Sequence, residues 1–114
     1  MTEETEGVYV MRVASMLSGM HPQTLRKYER AGLVTPSRSN MLRMYSDEDI
    51  ARLKMIKHLV DEFGLNVAGV ELALKMRASV LNMRRELALA GLSGELEERL
   101  KGLLNEMVGM LGIE

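Results

Sequence analysis

The chain has 114 residues, 46% of them hydrophobic, a formal net charge of −1 and no cysteine. That length bounds it to one domain, or a small domain with an oligomerisation appendage, and the hydrophobic share is ample for a core. The lack of cysteine excludes a disulfide framework, a thiolate metal site and a thiol redox switch.

No apolar run is long enough to span a bilayer, and the acidic start "MTEETEG" is unlike a signal peptide, so the expected location is cytoplasmic. Charge is unevenly distributed. From Gly7 to His58 nine basic side chains stand against four acidic ones, whereas from Leu59 to Glu114 six stand against nine. Such asymmetry suggests a polyanion-binding end and a partner-binding end.

Residues 1–7 read as a disordered acidic segment. In "VYVMRVASMLSGM", Val13, Ala14 and Leu17 recur at helical spacing and Gly19 would end a first short helix. Ala14 is small enough to let another helix cross closely. "HPQTLRKYERAG" follows at once. Pro22 belongs in a first helical turn, because the amide it lacks would be unpaired there, which makes His21 the N-cap. Gly32 suits the left-handed residue that closes a helix. On a helical wheel Lys27 and Arg30 fall to either side of Gln23, with Arg26 next to Arg30, while Leu25 lies on the opposite side. One face is amide and cationic, the other is anchored by Leu25, and Tyr28 and Glu29 take the flanks. Two short helices joined by a tight glycine turn, the second basic, form a helix-turn-helix.

In "GLVTPSRSNMLRMYS", Pro36 blocks a helix and Ser37 to Asn40 are turn-formers, so a two-stranded ribbon with its tip near Ser39–Asn40 is expected. It would carry Arg38 and Arg43. A ribbon after a recognition helix is a wing, suited to holding the phosphate backbone or reaching a minor groove. "SDEDIARLKMIKHLVDEFG" opens with Ser46 as N-cap and Asp49 three residues on, carries Ile50, Leu53, Ile56 and Leu59 on one stripe, and stops at Gly64. The acidic run Asp47-Glu48-Asp49 is helix-start electrostatics rather than a metal site. Asn66 can cap the next helix, whose Val67, Val70 and Leu74 would complete the core beneath the helix-turn-helix.

Beyond Met76 the pattern is that of interaction helices. Val80, Met83 and Leu87 follow near-heptad spacing, and Leu96, Leu100, Leu103 and Met107 form an apolar stripe after the break "AGLSG". These seven residues are the expected dimer seam, in a helical hairpin over residues 78–114. The expected fold is thus mainly α: a winged helix-turn-helix domain over residues 8–77, then C-terminal dimerisation helices.

In that order, "YVMRVASMLSGM", "HPQTLRKYERAGLVTPSR" and "RMYSDEDIARLKMIKHL" resemble the MerR family of transcription regulators. The resemblance implies a homodimer on an inverted repeat of double-stranded DNA. It implies that Gln23, Thr24, Lys27 and Arg30 face the major groove or its rim, while Arg26, Tyr28, Arg43 and Tyr45 hold phosphates or brace helix against wing. "SGMHPQTLRKYERAGLVTPSR" and "HLVDEFGLNVAGV" are most similar to the heat-shock-repressor branch of that family. That likeness implies repression of chaperone operons in the nucleoid, with the Hsp70 chaperone DnaK as co-repressor. One departure stands at the wing, where Asn40-Met41-Leu42 occupies the stretch in which family members commonly carry glycine.

No nucleophile–base pair, phosphate loop or convergent carboxylate pair is visible, so no enzyme, cofactor or metal is expected. Two alternatives share these features: an activator that untwists promoter DNA, and a helical adaptor that recruits a protein through its acidic, apolar C-terminal half.

Overall fold

A computed structural model describes residues 6–111, which divide into two compact units with the boundary between Val67 and Ala68. The first holds strand β1 (Gly7–Val10), helices α1 (Met11–Ser18) and α2 (Pro22–Arg30), strands β2 (Ser37–Ser39) and β3 (Leu42–Ser46), and helix α3 (Asp47–Phe63). The chain continues as α4 (Val67–Leu89) and α5 (Glu95–Met110). It is mainly helical, with one small antiparallel sheet.

The helix ends in the first unit follow from identifiable residues. Gly19 closes α1 in the left-handed conformation, its N–H on the Ser15 carbonyl at 3.0 Å. His21 caps α2 with its own ring: Nδ1 accepts from the Gln23 N–H at 3.1 Å, and Pro22 takes the first helical turn. At the other end Leu33 N–H reaches back to the Tyr28 carbonyl at 3.0 Å across left-handed Gly32. Ser46 and Asp49 form a reciprocal capping box on α3, both bonds 2.9 Å, and Gly64 ends the helix. The core beneath these ends is Ala14, Leu25, Leu53 and Ile56, each 0% exposed, with Tyr28, Leu33, Val34 and Leu59 around them.

Three expectations need correction. The expected two-stranded ribbon forms as β2 and β3, but the sheet has a third strand: its order is β1-β3-β2, and "GVYV" pairs with β3, Tyr9 opposite Tyr45 and Val10 opposite Met44. The residues Val8-Tyr9-Val10 suit a pleated surface, but the run is too short for its alternation to stand out from the helix that follows. Gly7 opens this strand, so the disorder expected for residues 1–7 does not extend to it, and residues 1–5 lie outside the described residues. A Cβ on Gly7 would meet the Met44 carbonyl oxygen at 2.8 Å, so the strand begins where only glycine fits.

The third correction concerns the wing tip. The loop is Asn40-Met41, between the paired residues Ser39 and Leu42, one residue later than expected. Farther on, α4 runs unbroken through positions 77 and 78, and its buried Val70 and Leu74 belong to the second unit.

Candidate nucleic-acid interface

Helix α2 separates its two faces cleanly. Leu25 and Tyr28 are buried, at 0% and 5% exposure, so Tyr28 lies on the packed side rather than the flank. Gln23, Arg26, Lys27 and Arg30 are exposed and Thr24 is half-buried. These five residues line one shallow, open concavity of about 530 Å³. None of the three cations is in an ion pair with a described residue; Lys27 instead places its ammonium 5.8 Å from the centroid of the Tyr28 ring. The face is polar, positive and uncompensated.

Wing and helix are joined by a carboxylate. In the β2–β3 register Arg38 stands directly opposite Arg43, a like-charge pair that would loosen the hairpin if left alone. Glu29, projecting from α2, reaches both: its Oε2 accepts from Arg43 Nε at 2.7 Å and its Oε1 lies 3.5 Å from an Arg38 guanidinium nitrogen. Arg43 is 32% exposed and Arg38 56%, so the first pair is the firmer and Arg38 keeps freedom to reach outward. A second tie holds the segment after α2, where Arg52 of α3 donates to the Leu33 carbonyl.

The tyrosines brace this frame. Tyr45 is 0% exposed, its hydroxyl enclosed without a hydrogen-bond partner among the described residues, and burial followed by the nearby Glu29 charge raises its pKa above the usual 10.0. Burial, then the Asp61 charge, raises that of Tyr28. Buried side chains do not reach phosphate, so of the two roles the resemblance offers them, the bracing one matches their placement. Tyr9 of β1 donates to Asp47 at 2.7 Å, which ties the third strand to the start of α3 and raises the Tyr9 pKa.

Glu29 and Tyr9 escaped the sequence reading. Both act between residues 9 to 38 positions apart, and only the like-charged pair Arg38 and Arg43 hinted that a carboxylate was needed.

In the second unit Met83, Leu87, Leu100, Leu103, Leu104 and Met107 line an almost wholly apolar groove of about 380 Å³ between α4 and α5. Arg84 and Asn105 meet across the same pair of helices at 3.4 Å. Of the expected seam, Val80 and Leu87 are already buried in the single chain and Leu100 is half-buried. Met83, Leu96, Leu103 and Met107 are 41–61% exposed. Among the described residues no helix is long and apolar enough to cross a membrane, and no group of three or more His, Asp or Glu side chains could hold a metal.

A short first helix, a glycine turn, a second helix with an open cationic face and a hairpin clamped to that helix define a winged helix-turn-helix domain. The chain belongs to the MerR family: the pattern described as MerR HTH family regulatory protein matches residues 9–77. It is 42% identical over 89 residues to the heat shock protein HspR of Streptomyces coelicolor, an alignment covering 77% of this chain and 58% of that one. It is also 39% identical over 59 residues to the HTH-type transcriptional repressor CarH of Myxococcus xanthus, covering 50% of this chain and 20% of that one. The chain thus spans little more than half the length of the first relative and a fifth of the second.

Proposed function

We propose that this chain is a sequence-specific DNA-binding repressor of heat-shock genes, acting as a homodimer on an inverted repeat. The observation that carries the reading is the α2 face, where Arg26, Lys27 and Arg30 share one concavity with Gln23 and Thr24 and have no carboxylate partner among the described residues. Cations left unneutralised inside the protein can replace the counterions condensed on phosphates, and releasing those counterions drives binding. Gln23 and Thr24 stand in the first turn of α2, the end of a recognition helix that reaches base edges, and an amide can read adenine by paired hydrogen bonds. Arg38, held only loosely by Glu29, supplies a backbone contact from the wing.

The dimer follows from the exposed side chains of the hairpin and from the geometry of DNA sites. A two-fold protein pairs with a palindromic operator, each head reading one half-site. Repression as the sign of regulation is supported by the name of the CarH relative, and heat-shock genes as the target by the likeness to HspR. DnaK as co-repressor belongs to the same reading: when unfolded proteins draw the chaperone away, repression lapses.

The test is selection from fragmented genomic DNA at moderate salt, with and without DnaK, followed by sequencing. An inverted repeat upstream of chaperone genes, bound more tightly with DnaK, is the expected result. A repeat elsewhere, indifferent to DnaK, would retain the DNA reader and remove the heat-shock assignment. Arg30→Ala should lower affinity for the selected site. It would reduce the salt slope by about one if the contact is to phosphate, or relax one base position if it is to a base.

A further inference from the structure

The wing tip has a feature that holding phosphates does not use. Asn40 and Met41 are the two central residues of the β2–β3 loop, with φ of 50° and 66°. Positive φ at both positions is the type I′ hairpin pattern, which asparagine tolerates and for which glycine is the unstrained second residue. Met41 occupies that second place with its Cβ held against its own backbone. Its side chain is 91% exposed, and Leu42 beside it is 57% exposed. In the free protein this arrangement has no benefit, since the backbone is strained and the apolar surface is wet. A strained, outward-pointing apolar residue at the end of a clamped hairpin makes sense only against something it enters.

We infer that Met41, with Leu42 behind it, is an apolar wedge that enters the DNA minor groove beside the α2 site and partly unstacks a base step. This rests on the DNA-binding reading above. Three observations favour a groove over a protein surface. Arg38 and Arg43 stand on the two strands that lead to the tip, so cations flank the apolar end on both sides, as a phosphate-walled groove requires. Glu29 fixes both strands to α2, so whatever distance α2 keeps from the duplex, the tip keeps too. An unbranched methionine is slim and adaptable enough to follow a narrow groove. A wedge of this kind reads deformability rather than hydrogen bonds, and pyrimidine–purine steps unstack most readily, so a TA or CA step is expected beneath each wing.

The experiment uses the full chain and the duplex that it selects from fragmented genomic DNA, with Met41→Gly, Met41→Asn and Met41→Leu. Glycine and asparagine both accept the turn, so these two variants fold, and the melting temperature of Met41→Gly should equal or exceed that of the original. Its affinity for the selected duplex should fall about tenfold, within the range of a single lost contact to DNA. The salt slope should not move, because no charge has changed. Permanganate, which oxidises unstacked thymines, should mark the steps under the wings with the original chain and with Met41→Leu, and leave them unmarked with Met41→Gly and Met41→Asn. Unchanged affinity and an unchanged thymine pattern in Met41→Gly would overturn the wedge while leaving the DNA reader intact. So would an affinity loss with no thymine marked by the original chain, because the tip would then touch backbone only. If the original chain selects no duplex, the DNA reader falls and the wedge falls with it.

Discussion

The two compact units treat their apolar side chains differently. In the first, Leu25, Leu53, Ile56 and Tyr45 are all enclosed, and the exposed face of α2 is polar. In the second, α5 buries Val108 at 1% exposure yet leaves Leu96, Leu103, Met107 and Met110 at 41–64%. Those four recur at spacings of seven, four and three, so they form one stripe, set about a third of a turn from Val108. A surface helix needs one apolar stripe to hold it to its own protein. A second stripe is surface awaiting a partner. Helix α2 thus turns a polar face to solvent, and α5 an apolar one.

The largest expected effect tests the enclosed core of the head. Leu25→Ala removes a fully enclosed side chain from the packed side of α2 and should destabilise the head by about 2–5 kcal/mol, read by urea denaturation. The same change at Leu103, which is 58% exposed, should alter the stability of the dilute chain by less than about 0.5 kcal/mol. Equal losses at the two positions would erase the contrast between the units.

The next effect tests the open stripe of α5. Leu103→Glu combined with Met107→Glu places two charges on the open stripe without touching Val108 or the Arg84–Asn105 contact. Both protomers carry the change, so four half-exposed apolar anchors are lost, each with about 0.75 kcal/mol left to gain by burial, and self-association should weaken roughly a hundredfold, seen by sedimentation equilibrium. Helix content in dilute solution should stay the same. A variant that still dimerises with the original affinity would move the seam off α5.

Much of this was legible beforehand because it is local. The α2 boundaries follow from His21, Pro22 and Gly32, and the start of α3 from Ser46 and Asp49, all groups that act within five residues of one another. The cationic face needed only helical periodicity. What the sequence hid is long-range. Strand β1 is four residues whose partner lies more than thirty positions away, and the Glu29 clamp joins positions 29, 38 and 43 only once the hairpin has folded onto α2. Val80 and Met83 share a heptad pattern, yet one is 3% exposed and the other 51%, a distinction that depends on what packs against each and not on spacing.

A smaller effect tests whether the clamp sets how the head meets DNA. Glu29→Gln keeps the shape but withdraws the charge that separates Arg38 from Arg43. Both pairs are partly solvated, so the stability loss should be about 1 kcal/mol or less. The effect on DNA should have the opposite sign for non-specific duplex. Two arginines released from a carboxylate bind phosphate more strongly, and the salt slope should steepen by up to about two. Affinity for the selected site should gain less, or fall, because the wing has lost its fixed angle to α2. A uniform gain on every duplex would mean that Glu29 only neutralises charge and does not position the wing.

The smallest effect isolates a single hydroxyl. Tyr45 is enclosed and its hydroxyl has no hydrogen-bond partner among the described residues, so Tyr45→Phe should stabilise the head, by about 1 kcal/mol at neutral pH. DNA affinity should not change, since the ring braces the sheet and does not reach the surface. The pH dependence gives an independent check. Burial and then the Glu29 charge raise the Tyr45 pKa above 10.0, so the fold keeps a proton that the unfolded chain gives up near that value. The stability tied to that proton is fully present below about pH 10 and is lost as pH rises through the raised folded value. Tyr28 and Tyr9 shift in the same direction, through burial and through the bond to Asp47 respectively. Urea midpoints should therefore fall above pH 10 in the original chain and fall less steeply in Tyr45→Phe. A loss of stability at neutral pH in the variant would show that the hydroxyl is partnered in solution, and the sheet beneath the wing would then be held by a polar bond rather than by packing alone.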